Sequence, residues 1–387
     1  MNADTIVYEK KNNLVRLAVL ENGQMVEFDM YDKSLAVEGN IYLGRLTHKM
    51  ELAGGGVGFK VNIGDVTEGF LNTNTSDTKD LSLSEGQSVV VQVAQTRHAD
   101  KGAKLTRNVQ IVGTTVVYRP MRTDVNVSQK ITDQETIRKL RSVIFHHMKG
   151  QEGWSVRTAA VEFEEDVIVE EMQKLRSVYE AIRMRARSAS APALLYEGED
   201  PLYEYIRRHK SSLKKIVIND HNMVSDVEEV VDTATEYTAE PFEEFGLEDQ
   251  LIEALNPVAK LKSGGEIIIR QTPACVTIDV DSSALRENGS AADLNNEAAV
   301  EIARQIRLKN LAGKIVVDFA GSKEYALMRP VIDLLETELA DDASCGKVLG
   351  LTKAGNIELV RQRRRPSLLE MYTEECPTCQ GTGRVEK

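Results

Sequence analysis

The sequence predicts a multidomain α/β protein. Its 387 residues are 42% hydrophobic and 28% charged, and this length is enough for two or three domains with cores of their own. Two stretches indicate the fold class. Residues 38–118 carry short β-type runs separated by turn signals, a pattern typical of a small barrel. Residues 275–319 have the pattern of a strand, a helix and a second strand, which predicts a parallel pair with a right-handed crossover.

The chain begins with the pattern of a β-hairpin. Apolar residues alternate on both sides of Asn22 and Gly23, a dipeptide that favours a tight turn, so two antiparallel strands are expected within residues 1–37. Between the barrel segment and residue 193, the periodicity predicts helices at 133–148 and 165–187, a strand at 154–158 and a linker at 188–192.

The carboxyl-terminal half alternates between the two periodicities. Helices are expected near 201–210, 224–235, 294–311 and 323–340, and strands at 216–218, 265–270, 275–281 and 314–319. Residues 374–387 contain Gly and Cys but no apolar pattern that could form a core.

Composition narrows the class of protein. No apolar run approaches the roughly 18 residues that a membrane span needs, and the amino terminus has no secretory signal, so we expect a cytoplasmic protein without a membrane span. In that compartment the four cysteines are expected as reduced thiols or metal ligands. The net charge of -12 argues against general coating of nucleic acid but allows a local basic site.

Aspartates end both strand-like runs of the predicted crossover. Asp279 and Asp281 close the first run, and Asp318 closes the second. Because parallel strands end at the same edge of a sheet, these carboxylates should lie close together, and their repulsion favours a hard divalent cation between them. The pattern therefore indicates a Mg²⁺ site suited to phosphoryl chemistry. The alternative is a pair of acidic residues that only cap loops.

The tail carries a Cys-x-x-Cys pair, Cys376 and Cys379. Two thiolates can bind Zn²⁺, but tetrahedral zinc takes four ligands. Cys275 and Cys345 have no ligand spacing, so the simplest completion is a second copy of the chain. This predicts a zinc-bridged homodimer. A redox pair and two ordinary free thiols remain as alternatives.

Two further groups of residues suggest contacts with phosphate or bases. Arg157 and Thr158 end an extended segment and could bind a terminal phosphate; taken alone, however, the pair is more typical of ordinary surface residues in a strand. The barrel segment contains aromatic residues among cations, which either stack on bases or fill the barrel core. The residues of this second group are Tyr42, Phe59, Phe70, Arg45, Lys60 and Lys101.

Together these features resemble the ribonuclease E/G family of endoribonucleases. The most specific similarity is residues 295–319, NNEAAVEIARQIRLKNLAGKIVVDF, which is similar to the family's signature helix and strand. Four other segments also resemble family motifs: SGGEIII at 263–269, TIDVD at 277–281, GWSVRTAA at 153–160 and CPTCQGTGRV at 376–385. A further similarity is the run KGAKLT at 101–106.

The resemblance implies an architecture of five segments. Residues 1–37 and 194–254 would form a ribonuclease-H-like subdomain, into which an OB-type barrel at 38–118 is inserted. The other implied segments are a 5′-sensor domain at 119–193, a deoxyribonuclease-I-like catalytic domain at 255–373 and a zinc link at 374–387. The family's further small domain beyond the zinc link has no counterpart in these 387 residues.

The resemblance also implies a function. It implies a Mg²⁺-dependent endoribonuclease that cleaves single-stranded RNA in the processing and decay of ribosomal and messenger RNA. Asp279 and Asp318 would hold Mg²⁺, with Asp281 as a third catalytic candidate. The other implied contacts are RNA at Phe59, Phe70, Lys101 and Arg107, a 5′-monophosphate at Arg157 and Thr158, and zinc at Cys376 and Cys379.

Some positions depart from the family pattern. Asp281 stands where the family usually has Asn, and Lys353 stands where the family frequently has Arg. Unlike arginine, lysine cannot contact a phosphate in a bidentate manner. An RNA-binding or assembly protein of the same fold, with reduced or lost catalysis, is therefore the alternative function.

Overall fold

The computed structural model describes residues 2–53, 56–73, 83–97, 101–282, 290–321, 324–340, 342–381 and 383–385. The chain forms two compact units. Unit 1 consists of residues 1–32 and 201–387, and unit 2 consists of residues 33–200. The boundaries of the five segments that the resemblance implies stay predictions.

The described strands are β1 (Thr5–Lys11), β2 (Leu14–Glu21), β3 (Gln24–Asp32), β4 (Ile41–Leu52), β5 (Gly56–Asn62), β6 (Gly69–Asn72), β7 (Ser88–Gln95), β8 (Lys104–Thr106), β9 (Ile111–Val112), β10 (Val116–Arg119), β11 (Val125–Val127), β12 (Gly153–Val156), β13 (Ala193–Tyr196), β14 (Lys215–Ile218), β15 (Ala234–Tyr237), β16 (Val258–Lys260), β17 (Glu266–Gln271), β18 (Val276–Asp281), β19 (Gly313–Asp318), β20 (Lys347–Leu351) and β21 (Ile357–Arg361). The described helices are α1 (Gln134–His147), α2 (Glu165–Ser188), α3 (Pro201–His209), α4 (His221–Glu228), α5 (Pro241–Glu244), α6 (Leu247–Leu255), α7 (Ala291–Leu308), α8 (Tyr325–Leu339) and α9 (Leu368–Tyr372), with a 3₁₀ helix at Thr158–Glu162.

Unit 2 contains a closed five-stranded barrel. Its strands pair in the order β4, β5, β6, β8 and β7, and β7 pairs back with β4. The barrel core includes Phe59 and Leu71, so apolar side chains alternate inward along these strands. The backbone before β8 packs closely against the backbone before β6 at Gly102. Only glycine fits there, because a Cβ atom at this position would lie 1.8 Å from the carbonyl oxygen of Glu68. The predicted barrel is confirmed.

The rest of unit 2 is a small sheet covered by two helices. The strands lie in the order β11, β12, β10 and β9, and Trp154 is buried between this sheet and both α1 and α2. Asp133 is the N-cap of α1, because its side chain accepts a hydrogen bond from the Thr136 amide at 2.7 Å. The helices predicted at 133–148 and 165–187 are confirmed.

The first sheet of unit 1 lies in the order β15, β14, β1, β2 and β3. The hairpin predicted at the amino terminus is confirmed: Asn22 and Gly23 both have positive φ, at 52° and 79°, as a two-residue turn between antiparallel strands requires. The helix expected at 224–235 is only partly present. It ends at Glu228, and residues 234–237 instead form β15, because their backbone pairs in parallel with β14.

The second sheet of unit 1 lies in the order β16, β17, β18, β19, β21 and β20. β18 and β19 are parallel and are joined by α7, as predicted. The apolar residues of α7, which include Leu294, Ala298 and Ile302, pack against one face of the sheet together with residues of α8. The strands β20 and β21 were not expected from the sequence. No helix in the described ranges is long and apolar enough to cross a membrane.

Candidate functional site

The structure brings Asp279 and Asp318 together. They are direct register partners on the parallel strands β18 and β19, which places their Cα atoms about 4.8 Å apart. Both side chains are exposed, whereas the neighbouring Ile278 and Val317 are buried on the opposite face against α7 and α8. Because register partners on parallel strands share a face, both carboxylates project from the side of the sheet that these helices leave open.

Asp281 extends this acidic edge by one further position. It lies two residues beyond Asp279 and therefore on the same face of β18. Its register partner on β17 is Glu266, which the sequence reasoning did not single out. The open face thus carries four carboxylates across three strands at the end of the parallel pair.

Asn295 of α7 holds the loop after Asp318 in place. The sequence alone did not indicate this role. The Asn295 side-chain amide donates to the Ala320 carbonyl at 2.8 Å, and its oxygen accepts from the Ala320 amide at 3.1 Å. The side chain is 5% exposed, so this two-bond clamp is shielded from water. A polar residue within the apolar stripe of α7 was the signal that could have revealed it.

The two carboxylates fit a magnesium ion. Mg²⁺ prefers oxygen ligands and is commonly held by one or two carboxylates, with water and substrate phosphate completing its shell. Within the part of the chain that the structure describes, no three His, Cys, Asp or Glu side chains form a group that could hold a metal ion. Asp279 and Asp318 would therefore supply part of the shell and leave the remainder to water and substrate.

Arg157 and Thr158 lie where β12 ends and the 3₁₀ helix begins. The Arg157 amide donates to the Thr115 carbonyl at 2.8 Å, and its guanidinium donates to the Gly113 carbonyl. The exposed Thr158 hydroxyl lies 2.9 Å from the Ser128 hydroxyl. The structure therefore assembles one arginine and two hydroxyl groups, with part of the guanidinium engaged in holding the neighbouring turn.

That turn is itself fixed by Glu171 of α2, another residue that sequence reasoning missed. The Glu171 carboxylate accepts hydrogen bonds from the backbone amides of residues 114, 115 and 116 at 2.6, 2.7 and 3.1 Å. Three convergent amides form an anion-binding nest, and here an internal carboxylate fills it. The helix thereby holds in place the carbonyl that Arg157 contacts.

The barrel presents an aromatic ring between two cations. Phe70 on β6 is the register partner of Lys60 on β5 and of Lys104 on β8, so the three side chains form a row on one face. Phe70 is half-buried, and Lys104 is exposed. Phe59, in contrast, is 1% exposed within the barrel core, so its ring is not available for stacking on a base.

The other two cations expected at the barrel are near its surface. Lys101 is exposed beside Gly102. Arg107 is half-buried, and burial lowers the pKa of its guanidinium. Its Nη1 has no hydrogen-bond acceptor among the described residues, which leaves a shielded donor suited to an anionic ligand.

Cys376 and Cys379 lie on one turn, closed by a 2.8 Å hydrogen bond from the Gln380 amide to the Cys376 carbonyl. Hydrogen bonds from the Cys379 amide and then the Thr378 amide lower the pKa of the exposed Cys376 thiol. A lowered thiol pKa favours the thiolate form that binds zinc. The pair can thus offer two ligands from one protomer.

Comparison with known proteins gives a consistent result. The profile described as "Ribonuclease E/G family" matches residues 110–364. The chain is 31% identical to ribonuclease E of Nostoc sp. over 375 residues, which cover 90% of this chain and 54% of that protein. It is 28% identical to ribonuclease G of Haemophilus influenzae over 417 residues, which cover 100% of this chain and 85% of that protein.

Ribonuclease G of Escherichia coli is similar to the same extent, with 29% identity over 405 residues that cover 96% of this chain and 82% of that protein. The chain spans about half the length of the ribonucleases E of Nostoc sp. and Synechocystis sp. that it matches. The profile match includes β18, α7 and β19, and therefore both register-paired aspartates. On the strength of this match over most of its length, the chain belongs to the ribonuclease E/G family.

Proposed function

We propose that this protein is a Mg²⁺-dependent endoribonuclease that cleaves single-stranded RNA. The observation that supports this most is the register pairing of Asp279 and Asp318 on an exposed sheet face, within the segment that matches the family profile. Homologues named ribonuclease E and ribonuclease G support the same class of reaction.

In this proposal each residue has a defined task. Asp279 and Asp318 bind Mg²⁺ and keep it on the open face, where an RNA phosphate can approach. Bound there, Mg²⁺ would activate a water molecule and offset the charge that develops on the phosphate. Asn295 fixes the backbone that follows Asp318, and Asp281 adds negative charge beside the site. The expected products carry 5′-phosphate and 3′-hydroxyl ends.

We also propose that unit 2 supplies the contacts with RNA. The strand order of its closed barrel is consistent with an OB-type module, which binds nucleic acid on the face of its second and third strands. Here these strands are β5 and β6. Phe70 would stack on a base while Lys60, Lys101 and Lys104 neutralise phosphates, with Arg107 as a further phosphate contact.

Three finer features extend the proposal. Arg157 and Thr158 would bind a 5′-monophosphate and so favour processed RNA ends. Cys376 and Cys379 would share Zn²⁺ with a second copy and form a homodimer. Because ribosomal and messenger transcripts are the proposed substrates, the cytoplasm is the proposed place of action.

The test is cleavage of matched RNAs that carry a 5′-monophosphate or a 5′-triphosphate, with Mg²⁺ and with a chelator. Wild-type protein should cleave only with the metal and should prefer the monophosphate. Asp318→Asn should lower the cleavage rate on the order of 100-fold, since it removes a charged ligand. Asp333→Asn, on the exposed surface of α8, is the matched control and should retain full activity.

RNA binding measured alongside separates this proposal from the alternative. Asp281 and Glu266 add negative charge beside the site, which would repel the scissile phosphate and so supports the alternative of reduced or lost catalysis. If the wild-type protein binds RNA but its cleavage is insensitive to Asp318→Asn, the residual nuclease is a contaminant and the alternative is correct.

A further inference from the structure

Unit 1 contains a small cavity whose walls are rich in arginine. Its volume is about 30 Å³, and it lies where β3, α3, α7 and the segment after β21 meet. We call it the arginine cavity and define it by its five arginines, Arg208, Arg307, Arg361, Arg364 and Arg365. Three carboxylates also line it, those of Glu27, Asp29 and Asp342.

Most of these arginines have their own carboxylate. Arg361 makes a two-bond contact with Asp342, at 2.8 Å for each bond. The other ion pairs are Arg208 with Glu27 at 2.8 Å, Arg364 with Glu204 at 2.8 Å, and Arg365 with Asp29. Four direct pairs therefore account for four of the five guanidinium groups.

Arg307 is the exception. Its Nη1 donates to the Glu338 carbonyl at 2.8 Å. The Glu27 carboxylate lies 3.9 Å from its Nε and already accepts a hydrogen bond from Arg208. The Arg307 side chain is 4% exposed, and burial lowers the pKa of its guanidinium. Arg307 is therefore the arginine of this cavity that shares its paired carboxylate with another arginine, while the charges of Glu338 and Asp342 also act on it.

The same cavity collects hydrogen-bond donors without acceptors. Among the described residues, Arg307 Nε and both Arg208 Nε and Nη2 are shielded from solvent and have no hydrogen-bond partner. A buried N–H group that loses water and gains no acceptor destabilises the folded state. Three such groups on two residues of one cavity indicate a missing acceptor.

The size and charge of the cavity define that acceptor. A volume of about 30 Å³ has room for a water molecule or a small monatomic anion. Water could accept some of the hydrogen bonds but would bring no negative charge to Arg307, which shares its paired carboxylate with Arg208. We propose that the arginine cavity binds a single chloride-sized anion, held by Arg307 and Arg208, which ties the two sheets of unit 1 together.

Bromide offers a direct test because its anomalous scattering identifies it. Crystals of the full chain grown in bromide should show an anomalous peak within hydrogen-bond distance of Arg307 Nε and Arg208. In parallel, thermal unfolding is followed while chloride replaces gluconate at constant ionic strength. The midpoint should rise and saturate, by on the order of 2 °C. A cavity without a bromide peak, or a midpoint indifferent to the halide, would overturn the proposal.

A variant pair locates the effect. Arg307→Met removes a guanidinium that would bind the anion and should abolish the halide-dependent rise in the midpoint. Arg304→Met is the matched control on the same helix, because Arg304 pairs with Glu301 and does not line this cavity; its halide response should equal that of the wild type. An equal response in Arg307→Met would overturn the proposal. If Arg307→Met does not fold, the bromide map and the wild-type halide series decide alone.

Discussion

At the scale of single residues, the candidate site depends on side chains whose partners are distant in sequence. Asp279 and Asp318 meet because two parallel strands carry them in register. Asn295 then holds the backbone beyond Asp318 through two hydrogen bonds with Ala320. The proposed metal site is therefore expected to depend on a residue outside the pair of carboxylates.

Asn295→Leu tests this dependence. The change leaves both backbone groups of Ala320 without their partner, and it should lower the free energy of unfolding by about 1–3 kcal/mol. It should also raise the Mg²⁺ concentration needed for half-maximal cleavage, because the loop after Asp318 is no longer fixed. Denaturant unfolding and a Mg²⁺ titration measure the two effects.

The neighbouring Asn296 is exposed, so Asn296→Leu is the matched control and should change neither quantity. A variant at Asn295 that loses stability but keeps the wild-type Mg²⁺ dependence would limit this residue to a structural role.

A second prediction at this scale concerns acid stability. Burial by itself would raise the pKa of Glu204. The hydrogen bond and charge of Arg364, and then the charge of Arg365, outweigh burial and lower this pKa from 4.5 to about 2. A carboxylate with a depressed pKa stabilises the folded state above its unfolded value and loses this contribution as pH falls towards the folded value. Stability should therefore decline between about pH 4.5 and pH 2.

Glu204→Gln should remove this part of the decline. Urea unfolding at pH 7 and at pH 3 should show a smaller loss of stability for the variant than for the wild type, together with lower stability of the variant at pH 7. Identical pH dependence in the two proteins would contradict the role assigned to the Glu204–Arg364 pair.

At the scale of elements, α2 organises the candidate 5′-phosphate site without supplying its ligands. Glu171 reaches from this helix to the backbone amides at 114–116, and the carbonyl of Gly113 beside them accepts from Arg157. The position of the arginine thus depends on how the helix packs against the turn between β9 and β10.

Glu171→Ala should release that turn. Loss of a carboxylate that accepts several amide hydrogen bonds should cost about 2–3 kcal/mol of stability and reduce the preference for 5′-monophosphate RNA over 5′-triphosphate RNA. Glu170→Ala, at an exposed position of the same helix, should leave both unchanged. A retained preference despite the loss of stability would show that Arg157 does not need the turn.

At the scale of the whole molecule, the proposed dimer depends on the tail. Cys376 and Cys379 offer two thiolates, and four-coordinate zinc would take two more from a second copy. Cys376→Ser combined with Cys379→Ser should abolish zinc binding and shift the protein from dimer to monomer in sedimentation experiments. Cys345→Ser is the control, since Cys345 is an exposed thiol outside the tail. A zinc-free wild-type dimer would contradict this assembly.

Much of this architecture could be predicted because the local periodicity of apolar residues indicates its helices and strands. The apolar and β-branched run that ends at Asp279 and Asp281 predicted β18, and the helical repeat of Leu294, Ala298 and Ile302 predicted α7. β15 was missed because its four residues depend on pairing with β14. β20 and β21 were missed for the same reason, since their pairing continues a sheet that begins elsewhere in the chain.

By itself, the sequence determined the α/β class, the closed barrel, the parallel crossover and the identity of the two aspartates, because each follows from residue types at short, regular spacing. Only the tertiary structure decided that Phe59 is buried while Phe70 is half-buried, that Glu171 holds the turn beside Arg157, and that five arginines line one cavity. These outcomes depend on burial and on hydrogen bonds between distant segments, which no local pattern encodes.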